Sequence, residues 1–151
     1  MCGIFGLISV SGRPFEPAVL EKMASVLQHR GPDDSGYWTS GRIALGHTRL
    51  AIIDLDTGDQ PMTDGQGRAI VFNGEIYNYR ELRKELIRKG AVFRTESDTE
   101  VILEAYKAWG EQCVCRLDGM FSFAIADEHK KRLFLARDRF GKKPLHYFNQ
   151  N

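Results

Sequence analysis

Met1-Cys2-Gly3-Ile4-Phe5-Gly6 opens the chain and runs directly into Leu7-Ile8. The apolar run reads as a buried strand over residues 3–10. A small residue behind the initiator methionine favours removal of Met1, which would leave Cys2 with a thiol and a free α-amine on one framework. An α-amine titrates near about 7.7–8.0, so it can take a thiol proton directly or through one water and activate a nucleophile. No histidine is needed for that chemistry. Gly3 lets backbone or substrate come close. The plain alternative is that Cys2 is a small residue ahead of an N-terminal strand; the dipeptide alone favours that alternative, and only the residues downstream reverse it.

Composition narrows the class. The 151 residues suggest one domain, and the 42% hydrophobic content supports a real core. Lysine and arginine total 21 against 20 acidic residues, so no electrostatic footprint for nucleic acid or an anionic membrane is present. No apolar run is long enough for a membrane span, and a secretory leader pattern is missing. Three cysteines are too few and odd in number for a disulfide framework, which points to a reducing, cytoplasmic setting.

Working outward from the first strand, Pro17 suits a first helical position, and Leu20, Met23, Ala24 and Leu27 make an apolar face over residues 17–28. Residues 29–36 read as a loop from their Gly, Pro and Asp content. Ser40-Gly41 is a hairpin turn between Tyr37-Trp38-Thr39 and residues 42–46. Residues 55–67 read as a loop, and Ala69 to Phe72 as a strand stopping at Asn73-Gly74. Asn78 with Glu81, and Ser97 with Glu100, have capping-box spacing at the starts of two adjacent helices, the first ending near Gly90. Residues 120–126 and 133–136 are strands around a charged turn, and residues 144–148 are expected to begin another. Three helices and six or more strands without βαβ alternation favour antiparallel sheets covered by helices, an α+β fold.

Three further positions carry candidate chemistry. Asn73-Gly74 is the common tight-turn dipeptide, yet a helix follows it rather than a return strand. A side-chain amide and a glycine N–H at a strand end are also what an oxyanion hole needs. Arg49 is either a surface arginine or an enclosed one suited to a carboxylate. Asp98 either favours a helix N-terminus by its charge or holds a substrate ammonium. Cys113 and Cys115 lie too close together for a full metal site. His29, His47, His129 and His146 lack zinc-ligand spacing and read as solvent-facing or core residues. No metal is expected.

In chain order, Met1 to Gly6, His29-Arg30-Gly31-Pro32-Asp33, Arg49 to Asp54, Phe72 to Asn78, Ser97-Asp98-Thr99-Glu100, Asp118-Gly119-Met120-Phe121 and Arg137 to Leu145 together resemble the class II, N-terminal-nucleophile glutamine amidotransferase domain of glutamine-hydrolysing asparagine synthetases. The resemblance covers essentially all of residues 1–151. It implies an αββα sandwich of the Ntn-hydrolase type and hydrolysis of L-glutamine to glutamate and ammonia. It implies Cys2 as nucleophile with its own α-amine as base, and Asn73 and Gly74 as oxyanion hole. Arg49 would bind the substrate α-carboxylate, Asp98 with Glu75 and Gly74 the α-ammonium, and the backbone at Ile52 and Ile53 would line the pocket. No cofactor is implied for the glutaminase step. ATP and Mg are expected only for a synthetase domain, which this stretch lacks and which would act in the same longer chain or in trans.

Family members usually continue with more strands, so an N-terminal fragment, truncated at its C-terminal end, is expected, and a homodimer is a further expectation. The rival readings are a glutamine-binding module without turnover and a domain that docks a synthetase partner.

Overall fold

The computed structural model describes residues 2–50 and 59–149. Ile52 and Ile53 therefore lie outside the described residues, as does Met1. The first strand, β1, spans Gly3–Ile8. The first helix, α1, spans Pro17–Leu27, with Pro17 at its start as expected, and a 3-10 turn continues it over Gln28–Arg30. Strand β2 (Asp34–Ser40) begins inside the stretch expected to be a loop, and β3 covers Ile43–Arg49. Strand β4 is the short Met62–Thr63, and β5 spans Arg68–Ile76. Two helices follow, α2 (Tyr79–Arg88) and α3 (Asp98–Trp109), then β6 (Gly119–Asp127) and β7 (Arg132–Arg137).

Two antiparallel sheets result, ordered β1-β3-β2 and β4-β5-β6-β7. Alternation along the strands splits each sheet into two faces. Ile43 and Leu45 of β3 meet Ala69 and Val71 of β5 and Ala124 and Ala126 of β6, which makes the seam between the sheets. Phe5 and Ala44 face the other way, onto Leu20 of α1. On the far side, Ile70, Phe72, Phe121, Phe123 and Ile125 pack against Leu82, Leu86, Ile102 and Tyr106 of α2 and α3. The layers are helix, sheet, sheet, helices, the αββα sandwich.

Several local expectations change. Strand β5 runs through Asn73-Gly74 rather than stopping there, because both residues keep their ladder partners, Ser122 and Phe121. The Asn78 side chain makes no cap bond. Its amide donates to the Arg116 carbonyl (2.9 Å) and its oxygen accepts from Asp118 N–H (3.0 Å), so it ties α2 to the entry of β6. Ser97 does cap α3 through Thr99 N–H at 3.1 Å. Glu100, however, turns away from a capping box and accepts the backbone N–H groups of Arg94 and Thr95 at 2.9 and 2.7 Å. The strand expected over residues 144–148 does not form. Among the described residues no strand pairs with that segment, and Tyr147 and Phe148 stand in solvent.

Candidate active site

Cys2 sits one residue before β1, on the face that looks into the seam with Ile4. Its sulfur is held by the strand end across from it: Leu50 N–H donates to Sγ at 3.4 Å, and the thiol faces the Leu50 carbonyl at 3.6 Å. The carbonyl of Cys2 accepts from Arg30 Nε at 3.2 Å. Arg30 belongs to the His29–Asp33 loop, which lies hard against β3. A Cβ on Gly31 would stand 2.3 Å from the Thr48 carbonyl oxygen, and Asp33 N–H bonds the Arg49 carbonyl at 3.0 Å. The loop is thus a frame for the cysteine.

The ladder β1-β3-β2 then places a row of polar groups on the same face. Ile4 is opposite His47, and Arg49 is opposite Asp34. Arg49 is buried, and its Nη1 donates to Asp59 Oδ1 at 2.6 Å. Asp59 itself is 72% exposed at its side chain, so the pair joins a buried cation to a surface carboxylate.

The second sheet supplies the opposite wall. Asn73 is on the seam face of β5 and is buried. At Gly74 the backbones of β5 and β6 come so close that a Cβ would lie 2.1 Å from the Met120 carbonyl oxygen, so a side chain is excluded there. Asp98, the first residue of α3, accepts from Ile76 N–H through Oδ2 at 3.1 Å, which docks the helix N-terminus on the end of β5. Burial pushes the Asp98 carboxyl up to about 6; bonds from the backbone of Ile76 and Thr99 oppose this, and the charge of Glu75 adds to it.

These groups share one cleft of about 180 Å³, whose walls include Cys2, His47, Arg49, Leu50, Asn73, Gly74, Glu75, Asp98 and Lys143. Cys2, Arg49, Asn73, Gly74, Glu75 and Asp98, scattered over nearly a hundred positions of sequence, are brought together. Among the described residues, no cluster of three or more His, Cys, Asp or Glu could hold a metal ion, and no helix is long and apolar enough to cross a membrane.

Residue patterns alone miss four members of the site. His47 is buried beside Arg49. Its imidazole is held down to about 4 by burial first and the Arg49 charge second, against weaker opposing effects of Asp34 and the Phe72 backbone. Gln60 accepts from Phe72 N–H at 2.6 Å and donates to Thr99 Oγ1 at 3.2 Å. It serves the outer edge of β5 where the two-residue β4 has already ended. Lys143 reaches the cleft from a turn organised by Asp138, and Arg30 holds the Cys2 carbonyl. Arg30 and Lys143 sit in stretches that the resemblance did mark; nothing in the local sequence distinguishes His47 and Gln60.

A family described as a glutamine amidotransferase domain matches residues 1–151. The chain belongs to this family of glutamine-using enzyme domains. Among curated proteins it is 44% identical over 151 residues to asparagine synthetase [glutamine-hydrolyzing] 3 of Bacillus subtilis (strain 168), covering 97% of this chain and 25% of that protein. It is 45% identical over 149 residues to the asparagine synthetase [glutamine-hydrolyzing] of Sandersonia aurantiaca, covering 97% of this chain and 28% of that one. The chain thus spans about a quarter of the length of these relatives. The fold recurs in the glutamine phosphoribosylpyrophosphate amidotransferase of B. subtilis at a TM-score of 0.72 and 24% identity, over 91% of this chain and 37% of that one. That likeness is one of fold.

Proposed function

We propose that this domain hydrolyses L-glutamine to glutamate and ammonia through a thioester on Cys2. The observation that carries the reading is the common cleft. A thiol shares that cleft with a buried guanidinium, the Asn73-Gly74 pair within β5, the Glu75 carboxylate of the same strand and the Asp98 carboxylate at the start of α3. Glutamine has a matching set of groups. Its α-carboxylate suits Arg49, and its α-ammonium suits Asp98 and Glu75. Placing both ends leaves the side-chain amide to reach the sulfur.

Attack of Sγ on the amide carbon gives an oxyanion, for which the Asn73 amide and Gly74 N–H are donors. The α-amine of Cys2, free once Met1 is removed, accepts the thiol proton and passes it to the departing nitrogen. Ammonia leaves, and water opens the thioester. The ammonia then passes to a synthetase domain, as the relatives' name, asparagine synthetase [glutamine-hydrolyzing], suggests; ATP and Mg belong to that later amidation in this reading. No cofactor enters the glutaminase step itself.

The experiment is ammonia release from glutamine by the purified chain, with intact mass reporting whether Met1 is present. Protein beginning at Cys2 should turn over, and the fraction retaining Met1 should be nearly inactive, because its Cys2 nitrogen is an amide without a basic lone pair. Equal rates in the two fractions would remove the α-amine from the mechanism. No release from either would leave a glutamine-binding module.

A further inference from the structure

Among the buried polar groups of the cleft that the glutaminase scheme does not use is His47. His47 is only 1% exposed, and its Nε2 has no hydrogen-bond partner among the described residues. Buried polar atoms without a protein partner are uncommon, and those lining a polar cleft are commonly served by water. The ring stands on the seam face of the first sheet. It is directly opposite Ile4, and Cys2 lies two residues upstream of Ile4 on the same face. Diagonal neighbours of this kind are about 7–8 Å apart, with somewhat less between their Cβ atoms, which leaves room for one water between the side-chain ends. Across the seam, Ser122 is paired with Asn73, and its Oγ is a second buried atom without a partner among the described residues. Two such atoms on facing strands, at the end of the sandwich that holds the thiol, mark a polar region beside the cleft. The groups that face the ring are Arg49 on its own strand, Asp34 across the ladder, and the Phe72 backbone of the other sheet.

We propose that His47 orients the water that opens the Cys2 thioester. This rests on the glutaminase reading. After ammonia leaves, a water takes its place and donates a hydrogen bond to the neutral imidazole, which turns an oxygen lone pair toward the acyl carbon. A C–O bond forms and the C–S bond breaks. One water proton passes to the Cys2 α-amine and on to the departing sulfur. The thioester and one water become a carboxylic acid and a thiol, with no other reactant. The imidazole holds a neutral acceptor in place and takes no proton; burial first, and then the charge of Arg49 on the same face, keep it in that state.

The test separates the two halves of turnover. In His47→Leu, the first turnover should release ammonia at the wild-type rate, in an amount equal to the enzyme. The steady rate should then fall on the order of tenfold to a hundredfold, as misplaced reactants do. KM for glutamine should fall with kcat, and the mass of the Cys2 peptide should show one added glutamyl group. His47→Gln, which keeps a neutral acceptor, should restore part of the steady rate; it also carries the test should His47→Leu fail to fold by circular dichroism. A lowered steady rate without the glutamyl adduct, or an unchanged steady rate in both variants, overturns the proposal. Failure of the underlying reading looks different: Cys2→Ala would still release ammonia, and wild-type enzyme trapped during turnover would carry no adduct on Cys2.

Discussion

The Cys2 sulfur and the Leu50 backbone N–H are 3.4 Å apart although 48 residues separate them. The contact exists because β1 and β3 pair from Gly3 opposite Thr48 onward, so the residues just past that pair meet at the sheet's end.

Cys2→Ala should abolish ammonia release from glutamine and leave no site for a glutamine-like chloroketone. Cys113→Ser and Cys115→Ser should behave as wild type. Burial pushes the Cys113 thiol up to about 12, so it is inert, and Cys115 is an exposed thiol that does not line the cleft. Labelling followed by peptide mass mapping checks all three; full activity in Cys2→Ala would end the thioester scheme.

Arg49 and Asn73 should separate in kinetics. Arg49→Ala removes a charge-assisted contact to the α-carboxylate, a loss of about 1.5–3 kcal/mol, which appears as a roughly ten- to hundredfold higher KM. Asn73→Ala removes a donor needed mainly in the transition state, so kcat should drop by about 10²–10³ with KM little changed. Steady-state kinetics on both variants measures the split, and an unaltered KM in Arg49→Ala would return that arginine to a structural role with Asp59.

Asp98 sets an acid limb. Its carboxyl titrates at about 6 in the fold, so it is ionised at pH 7 and protonated below pH about 6. An ammonium needs the ionised form, and kcat/KM for glutamine should therefore fall as pH drops through 6. The stability sign is opposite. With a folded value raised above the usual 3.8, the stabilisation from keeping the proton is full below 3.8 and is lost as pH rises through 6. Asp98→Asn should thus weaken glutamine binding and remove the acid limb, while thermal stability at pH 7 holds or improves. An acid limb that survives the substitution would assign it to another group.

Asp138 should matter for stability. It is buried and accepts the backbone N–H groups of Phe121, Phe140, Lys142 and Lys143 at 2.9–3.2 Å. Burial raises its carboxyl, but these four donors outweigh burial and hold it below the ordinary value. Its stabilising contribution is accordingly present above the usual carboxyl range and lost as pH falls through its lowered folded value. Asp138→Ala should cost about 1–3 kcal/mol in denaturant unfolding and loosen the turn that brings Lys143 to the cleft. A melting curve identical to wild type would show that the turn stands without it.

Much of this was written locally. The apolar run at Ile4-Phe5 made β1, and the spacing of Leu20, Met23, Ala24 and Leu27 made α1. Pro17 and Ser97 marked two helix starts. Cys2, Arg49, Asn73, Gly74, Glu75 and Asp98 were named from the chain because each lies in a short motif whose ordered set resembles one family. Periodicity and caps act over one or two turns, so a sequence can display them. What only the tertiary structure decided was register and the company each group keeps. Asn73-Gly74 looked like a turn, yet pairing with β6 keeps it in strand. Asn78 and Glu100 had the spacing of caps, yet backbone groups of other segments claimed their side chains. His47 looked like an ordinary core histidine until the β1-β3 ladder set it opposite Ile4 and beside Arg49 in the cleft. A one-residue slip in a ladder sends a side chain to the other face, and no local pattern records which register the whole sandwich will choose.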